Sequence, residues 1–216
     1  MTGLIIFDCD GVLIDSEVHY CRAGVETLAE LGVTMTLPEF MQRYVGIAIP
    51  DIVAGLRTEF GDDVTKRWLA LAPARGRAYA AAGLEAVSGV ADVVTSIARP
   101  KCVASSTSPE GLQRSLGQVG LFDHFAPHIF SATMVARGKP APDLFLYASA
   151  QMGHRPLDCL VIEDSVPGVT AARAAGMRVL GFTGASHAYP ELAHRLTAAG
   201  AETIFDDMRR LPEFLT

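Results

Sequence analysis

The chain has 216 residues, half of them hydrophobic and 19% charged, with a formal net charge of -6 and a sequence pI near 5.5. That is the composition of an ordinary globular protein, and an acidic balance leaves no electrostatic footprint for nucleic acid or an anionic membrane. The length suits one domain with a substantial insertion, or two small domains.

Residues 4–7 form the first short apolar run, and Asp8 and Asp10 follow it directly. A long interval comes next, far more than one crossover helix requires. Its apolar residues recur at three- and four-residue spacing, which predicts helices over 21–31, 37–44, 51–60 and 64–82, with Gly32 and Gly61 at helix ends. Residues 88–98 return as a further helix. From there β-prone runs at 102–104, 129–130, 160–162, 179–182 and 203–205 alternate with helical stretches at 109–119, 143–152, 167–175 and 191–199. Alternation of this kind predicts an α/β fold, a Rossmann-like doubly wound parallel sheet. Residues 1–15 and 84–216 form its core, and residues 16–83 an inserted small helical cap domain.

Cys9, Cys21, Cys102 and Cys159 include no CxxC pair, so a structural zinc site is not expected. Buried free thiols in a reducing compartment are the expectation. No basic segment leads into an apolar core at the N-terminus, and no apolar run approaches the ~20 residues that span a bilayer. A cytoplasmic protein is the expectation, with a monomer as the default state.

Polar residues gather where the predicted strands end. Asp8 and Asp10 are two apart, so in extended chain both carboxylates face the same way. Two like charges that close repel unless a proton or a cation joins them. Gly11 then allows close backbone approach. Ser105, Ser106 and Thr107 end the second strand, and Glu163, Asp164 and Ser165 end the 160–162 strand. Lys139 lies in a Gly-Lys-Pro loop. Singly, these read as helix caps and turns. Jointly, at the carboxyl ends of parallel strands, they make an anion site built around a hard cation such as magnesium. A phosphoryl group needs that combination, because positioning and charge neutralisation supply most of its catalysis.

The motifs FDCDGVLIDSE (residues 7–17), VASS (103–106), GKPAPDLF (138–145) and VIEDSVPGVTAARAAGM (161–177) resemble the four motifs of the haloacid dehalogenase superfamily, in its capped branch. The resemblance implies Asp8 as the nucleophile that takes the phosphoryl group, and Asp10 as general acid and base. Ser105 and Lys139 would bind phosphoryl oxygens. Magnesium would be held by Asp8, the Asp10 carbonyl and Asp164, with Glu163 either ligating or supporting.

Dehalogenases of the superfamily use no magnesium and lack the second aspartate of the first motif, so Asp10 and the Glu163-Asp164 pair argue against that activity. The β-phosphoglucomutases resemble the core strongly. Their cap histidine and arginine are replaced here by Tyr20 and Ile49, which favours a phosphatase over a phosphomutase. The expected substrate is a small phosphorylated metabolite: a sugar, sugar-acid or polyol phosphate, with 6-phosphogluconate one candidate from the look of the cap. Ser106, Tyr20, Arg43 and Gly46 are the expected substrate contacts. A receiver-type signalling domain would need no helical insertion and orders its motifs differently. A non-catalytic phospho-ligand-binding protein would be expected to have lost Asp8, Asp10, Lys139 or Asp164. His187 is expected at the surface.

Overall fold

The structure, a computed structural model, describes residues 2–45, 47 and 49–215. The chain divides into two compact units, residues 1–15 with 85–216, and residues 16–84.

The first unit is built on six parallel strands: β1 (Leu4–Phe7), β2 (Lys101–Ser105), β3 (Ile129–Ser131), β4 (Cys159–Glu163), β5 (Arg178–Phe182) and β6 (Thr203–Phe205). Their order is β3-β2-β1-β4-β5-β6. The order reverses at β1, so the crevice beyond the ends of β1 and β4 is the topological switch point where such sheets bind ligands. Register brings those ends level: Phe7 pairs with Val103 on one side and with Ile162 on the other.

Side chains alternate across the sheet. Leu4, Ile6, Cys102, Ala104, Val161 and Val179 pack with residues of α7 (Asp143–Gln151), α8 (Val166–Ala174) and α9 (Leu192–Ala199). The intervening Ile5, Phe7, Val103, Leu160 and Ile162 have no exposed surface either. Phe7 meets Phe125 of α6 (Phe122–Phe125) edge to face at 5.7 Å. Both faces are therefore covered, which explains why these strands read as continuous apolar runs. Among the described residues, the remaining α-helices of this unit are α4 (Val90–Ser96) and α5 (Pro109–Gln118), and short 3-10 helices cover Ala132–Met134, Pro156–Asp158 and Met208–Phe214.

The second unit is helical: α1 (Glu17–Glu30), α2 (Leu37–Tyr44) and α3 (Ile49–Gly83). α3 is broken at Gly61, where φ is 84° and ψ 172°, matching the helix end expected there. Thr36 and Glu39 form a capping box at the start of α2. Trp68 is buried in this unit's own core and donates from Nε1 to the Gly24 carbonyl at 3.1 Å. Gly24 makes room for Phe40, whose ring lies 2.6 Å from where a β-carbon would stand.

All four cysteines are free and buried. Among the described residues, no helix is long and apolar enough to cross a membrane.

Candidate active site

β1 delivers Asp8 at the switch point, its amide bonded to the Ile162 carbonyl at 3.0 Å. The chain then turns tightly. Cys9 O accepts the amides of Leu13 and Ile14, and Gly11 takes φ of 84° and donates to Ile14 O. A side chain at Gly11 would be strained there, and its β-carbon would fall 2.0 Å from Asp164 Oδ2.

Lys139 is the centre of the cluster. Its Nζ donates to Asp8 Oδ1 at 2.6 Å, to Glu163 Oε1 at 2.5 Å and to the Ala104 carbonyl at 3.1 Å. It also lies 5.0 Å from the centroid of the Phe145 ring. The Lys139 side chain is only 6% exposed. Burial works against its charge, yet Asp8 and Glu163 more than offset it and hold the ammonium above the ordinary lysine range. For Asp8, burial pushes the carboxyl up and Lys139 pulls it down. Glu163, Asp164 and Asp10 push it up again, leaving it well above the usual carboxylate range.

Glu163 ends β4 and has no exposed surface. Lys139 occupies its Oε1, while Oε2 accepts the amides of Asp164 and Ser165 at 3.1 Å each and the Ser165 hydroxyl at 2.9 Å. Ser165 Oγ in turn accepts the Gly168 amide as N-cap of α8. Gly168 must lack a side chain here, because a β-carbon would overlap the Glu163 carboxyl at 1.9 Å.

Asp8, Glu163 and Asp164 each offer a carboxylate oxygen, all within 4.8 Å of one another and all buried. Lys139 pairs with two of the three, Asp8 and Glu163. The excess negative charge and the all-oxygen donor set fit a small divalent cation such as Mg2+.

Ser105 is buried, and its Oγ accepts the Thr107 amide at 3.1 Å. Ser106 is exposed. Thr107 carries a contact the sequence reading did not single out. Its Oγ1 donates to Asp10 Oδ2 at 2.7 Å, and its carbonyl accepts the hydroxyl of buried Ser131 at 2.7 Å. Gly111 leaves space for the Thr107 methyl, 2.6 Å from a hypothetical β-carbon. The helix cap expected from Ser-Ser-Thr falls one residue later, on Ser108.

His187 is a correction. It is 1% exposed rather than on the surface, and its Nε2 lies 3.0 Å from Asp164 Oδ2. No motif signalled it, since the residue stands 23 positions beyond Asp164 in an irregular loop.

Within the helical unit, Tyr20 is 41% exposed and its ring lies over Gly76. Arg43 donates from Nη1 to both oxygens of Glu59, at 3.0 and 2.9 Å. Gly46 falls outside the described residues.

Buried acids around one lysine at the switch point of a parallel sheet, with a helical insertion after the first strand, define a capped hydrolase of phosphoryl groups. Residues 2–176 match the model of the haloacid dehalogenase-like hydrolases, and the chain belongs to that family. It is similar to the 6-phosphogluconate phosphatase of Escherichia coli K12, with 31% identity over 97% of this chain and 92% of that protein. Hexitol phosphatase B of the same organism is 31% identical over 80% of each chain. A haloacid dehalogenase-like protein of unknown function from Agrobacterium tumefaciens C58 superposes with a TM-score of 0.91. It is 38% identical, over 100% of this chain and 98% of that one. The chain is a phosphatase of that family.

Proposed function

We propose that the protein is a magnesium-dependent phosphatase that hydrolyses a sugar, sugar-acid or polyol phosphate through an aspartyl phosphate on Asp8. The observation that carries this reading is the buried bridge of Lys139 between Asp8 and Glu163, with Asp164 beside it. The similarity to 6-phosphogluconate phosphatase across nearly the whole chain supports that sugar acid as the first substrate to test.

In this reading Asp8, the Asp10 carbonyl and Asp164 would hold the cation. Glu163, its oxygens already engaged by Lys139 and the start of α8, supports the site from behind. Magnesium supplies charge neutralisation that lets a phosphate dianion approach the acids. Lys139 holds Asp8 in place for attack and, with the Ser105 hydroxyl, stabilises the phosphoryl oxygens. Asp8 attacks phosphorus and the bond to the leaving oxygen breaks, while Asp10 gives that oxygen its proton. Asp10 then takes a proton from water. The water oxygen attacks phosphorus, the bond to Asp8 breaks, and inorganic phosphate leaves. Thr107 keeps the Asp10 carboxyl aimed through both steps.

We assign specificity to the helical unit, to Tyr20, Arg43 and Gly46, with Ser106 contributing from the core. The exposed Arg43–Glu59 pair adds little stability, so exchanging Glu59 for a substrate anion costs little. The four buried thiols support a site of action in a reducing compartment, the cytoplasm.

The test is release of inorganic phosphate from a panel of phosphorylated metabolites, with magnesium and with chelator. Turnover of at least one sugar-class phosphate that stops with chelator and returns with magnesium is expected. Full turnover in metal-free buffer would overturn the metal assignment.

A further inference from the structure

The loop that follows β5 is tied down at both ends. At its start Thr183 donates its amide to the Phe205 carbonyl at 2.9 Å. Further on, the Ala188 amide closes a turn onto Ala185 O at 3.1 Å. Between these points, Ser186 donates both its amide (3.1 Å) and its hydroxyl (2.6 Å) to Asp15 Oδ2. The next residue is His187, whose ring is buried with Nε2 3.0 Å from Asp164 Oδ2. The clasp on Ser186 thus holds the loop where its neighbour reaches Asp164.

We propose that His187 is a positioning residue for Asp164, set in place by the Asp15–Ser186 clasp, and that it prepares Asp164 to bind magnesium. The inference rests on the magnesium reading given above. A carboxylate on a single Cβ–Cγ bond can rotate, and a cation needs its oxygens in a narrow range of directions. A polar ring edge held 3.0 Å from Oδ2 limits that rotation. Nε2 is within reach of Oδ2 but is not aligned as a hydrogen bond, and a small turn of the carboxylate toward a cation would bring an Nε2–H donor into line. Gly11 completes the enclosure. A β-carbon there would lie 2.0 Å from Asp164 Oδ2 and 2.7 Å from His187 Cε1, so backbone, carboxylate and imidazole already fill the space. His187 touches neither the phosphoryl group nor the nucleophile in this assignment and acts through Asp164 alone. Outer partners of metal-holding groups typically contribute about 10–100-fold in metal affinity.

The test is calorimetric titration of Mg2+ into folded, metal-free protein without substrate. His187→Leu keeps bulk and removes the donor. His187→Gln keeps an N–H donor. Ser186→Ala loosens the clasp and leaves His187 itself intact. Magnesium affinity is expected to fall about 10–100-fold in the leucine variant and by a smaller factor in the serine variant, and to return toward wild type with glutamine. At saturating magnesium, kcat of the leucine variant should approach the wild-type value while the magnesium activation constant stays raised. Wild-type affinity in His187→Leu would overturn the inference, as would a glutamine variant no better than leucine. If His187→Leu does not fold, unchanged affinity in Ser186→Ala and His187→Gln falling far below wild type would together overturn it. A wild-type protein that turns over substrate yet binds no magnesium would overturn the metal reading and this inference with it. Tight wild-type binding with indifferent variants would remove this inference alone.

Discussion

Lys139 Nζ lies 2.6 Å from Asp8 Oδ1, joining two residues 131 positions apart in a site where neither side chain is more than 10% exposed. One ammonium serves two carboxylates, and Asp164 adds a third close by. Without a cation the site would be short of positive charge, and this imbalance makes substitutions at the two residues differ in sign.

Lys139→Met should lower stability in metal-free buffer, because it leaves Asp8 and Glu163 buried without a counter-charge. Such losses are typically about 3–5 kcal/mol, which for a chain of this size is a fall in Tm of roughly 6–20 °C. Asp8→Asn should do the reverse. It removes one of the repelling acids, Lys139 keeps Glu163, and Tm should equal or exceed that of the wild type. The same variant should show no turnover, since an amide cannot form the acyl phosphate. Thermal melting and phosphate release check both; a stable, fully active Asp8→Asn protein would remove Asp8 from the nucleophile role.

Thr107→Val should release Asp10 from its hydroxyl partner and weaken proton delivery to the leaving oxygen. A sugar alkoxide needs that proton, whereas 4-nitrophenolate leaves readily without it. The value of kcat/KM should therefore fall more steeply for a sugar phosphate than for 4-nitrophenyl phosphate. Thr107→Ser, which keeps the hydroxyl, should retain most activity. Asp10→Asn should show the same contrast more strongly, with a loss of about 10²–10⁴-fold on the sugar phosphate. Equal losses on both substrates would argue for a purely structural role for Thr107.

Gly168→Ala should destabilise the protein by about 1–3 kcal/mol or more, because its β-carbon would overlap the Glu163 carboxyl. Displaced, Glu163 would release Lys139, so the rate should drop as well. Gly117→Ala in α5 is the contrasting case. Nothing lies within 4 Å of that position, and a gain of about 0.4–1 kcal/mol is expected from the helix-favouring residue. Denaturant melts of the two variants would separate the effects.

Given β-glucose 1-phosphate and a bisphosphate primer, the protein should yield free phosphate or nothing. By the family resemblance, Tyr20 and Ile49 would stand where the mutases carry the histidine and arginine expected to hold the general acid back until sugar arrives. Glucose 6-phosphate appearing faster than phosphate would reverse the choice between phosphatase and mutase.

The thiols should be inert in the native state. Burial, aided by Asp158, pushes Cys159 up to about 11, and burial likewise raises Cys9, Cys21 and Cys102. A thiol with a pKa of about 11 is only about 0.1% thiolate at pH 8. Ellman's reagent should find no fast thiol at that pH, and all four after denaturation.

Much of this molecule is written locally. The apolar run 4–7, the alternation of β-prone and helical stretches, the glycine at 61 and the polar residues placed just past strand ends all depend on neighbours a few positions away. Hydrophobic period and backbone preference act over that range, so the parallel sheet, the helical insertion and the Asp8, Lys139, Asp164 set could be read in one dimension. The partners of those residues are another matter. Register at the ends of β1, β2 and β4 decides that Thr107 rather than Ser106 reaches Asp10. The clearance at Gly168 lets Glu163 fold back onto the start of α8, between its amides and Lys139. The Asp15–Ser186 clasp draws His187 out of solvent and onto Asp164. Each is a contact between residues far apart in the chain, set by packing and steric clearance, and no local pattern encodes it.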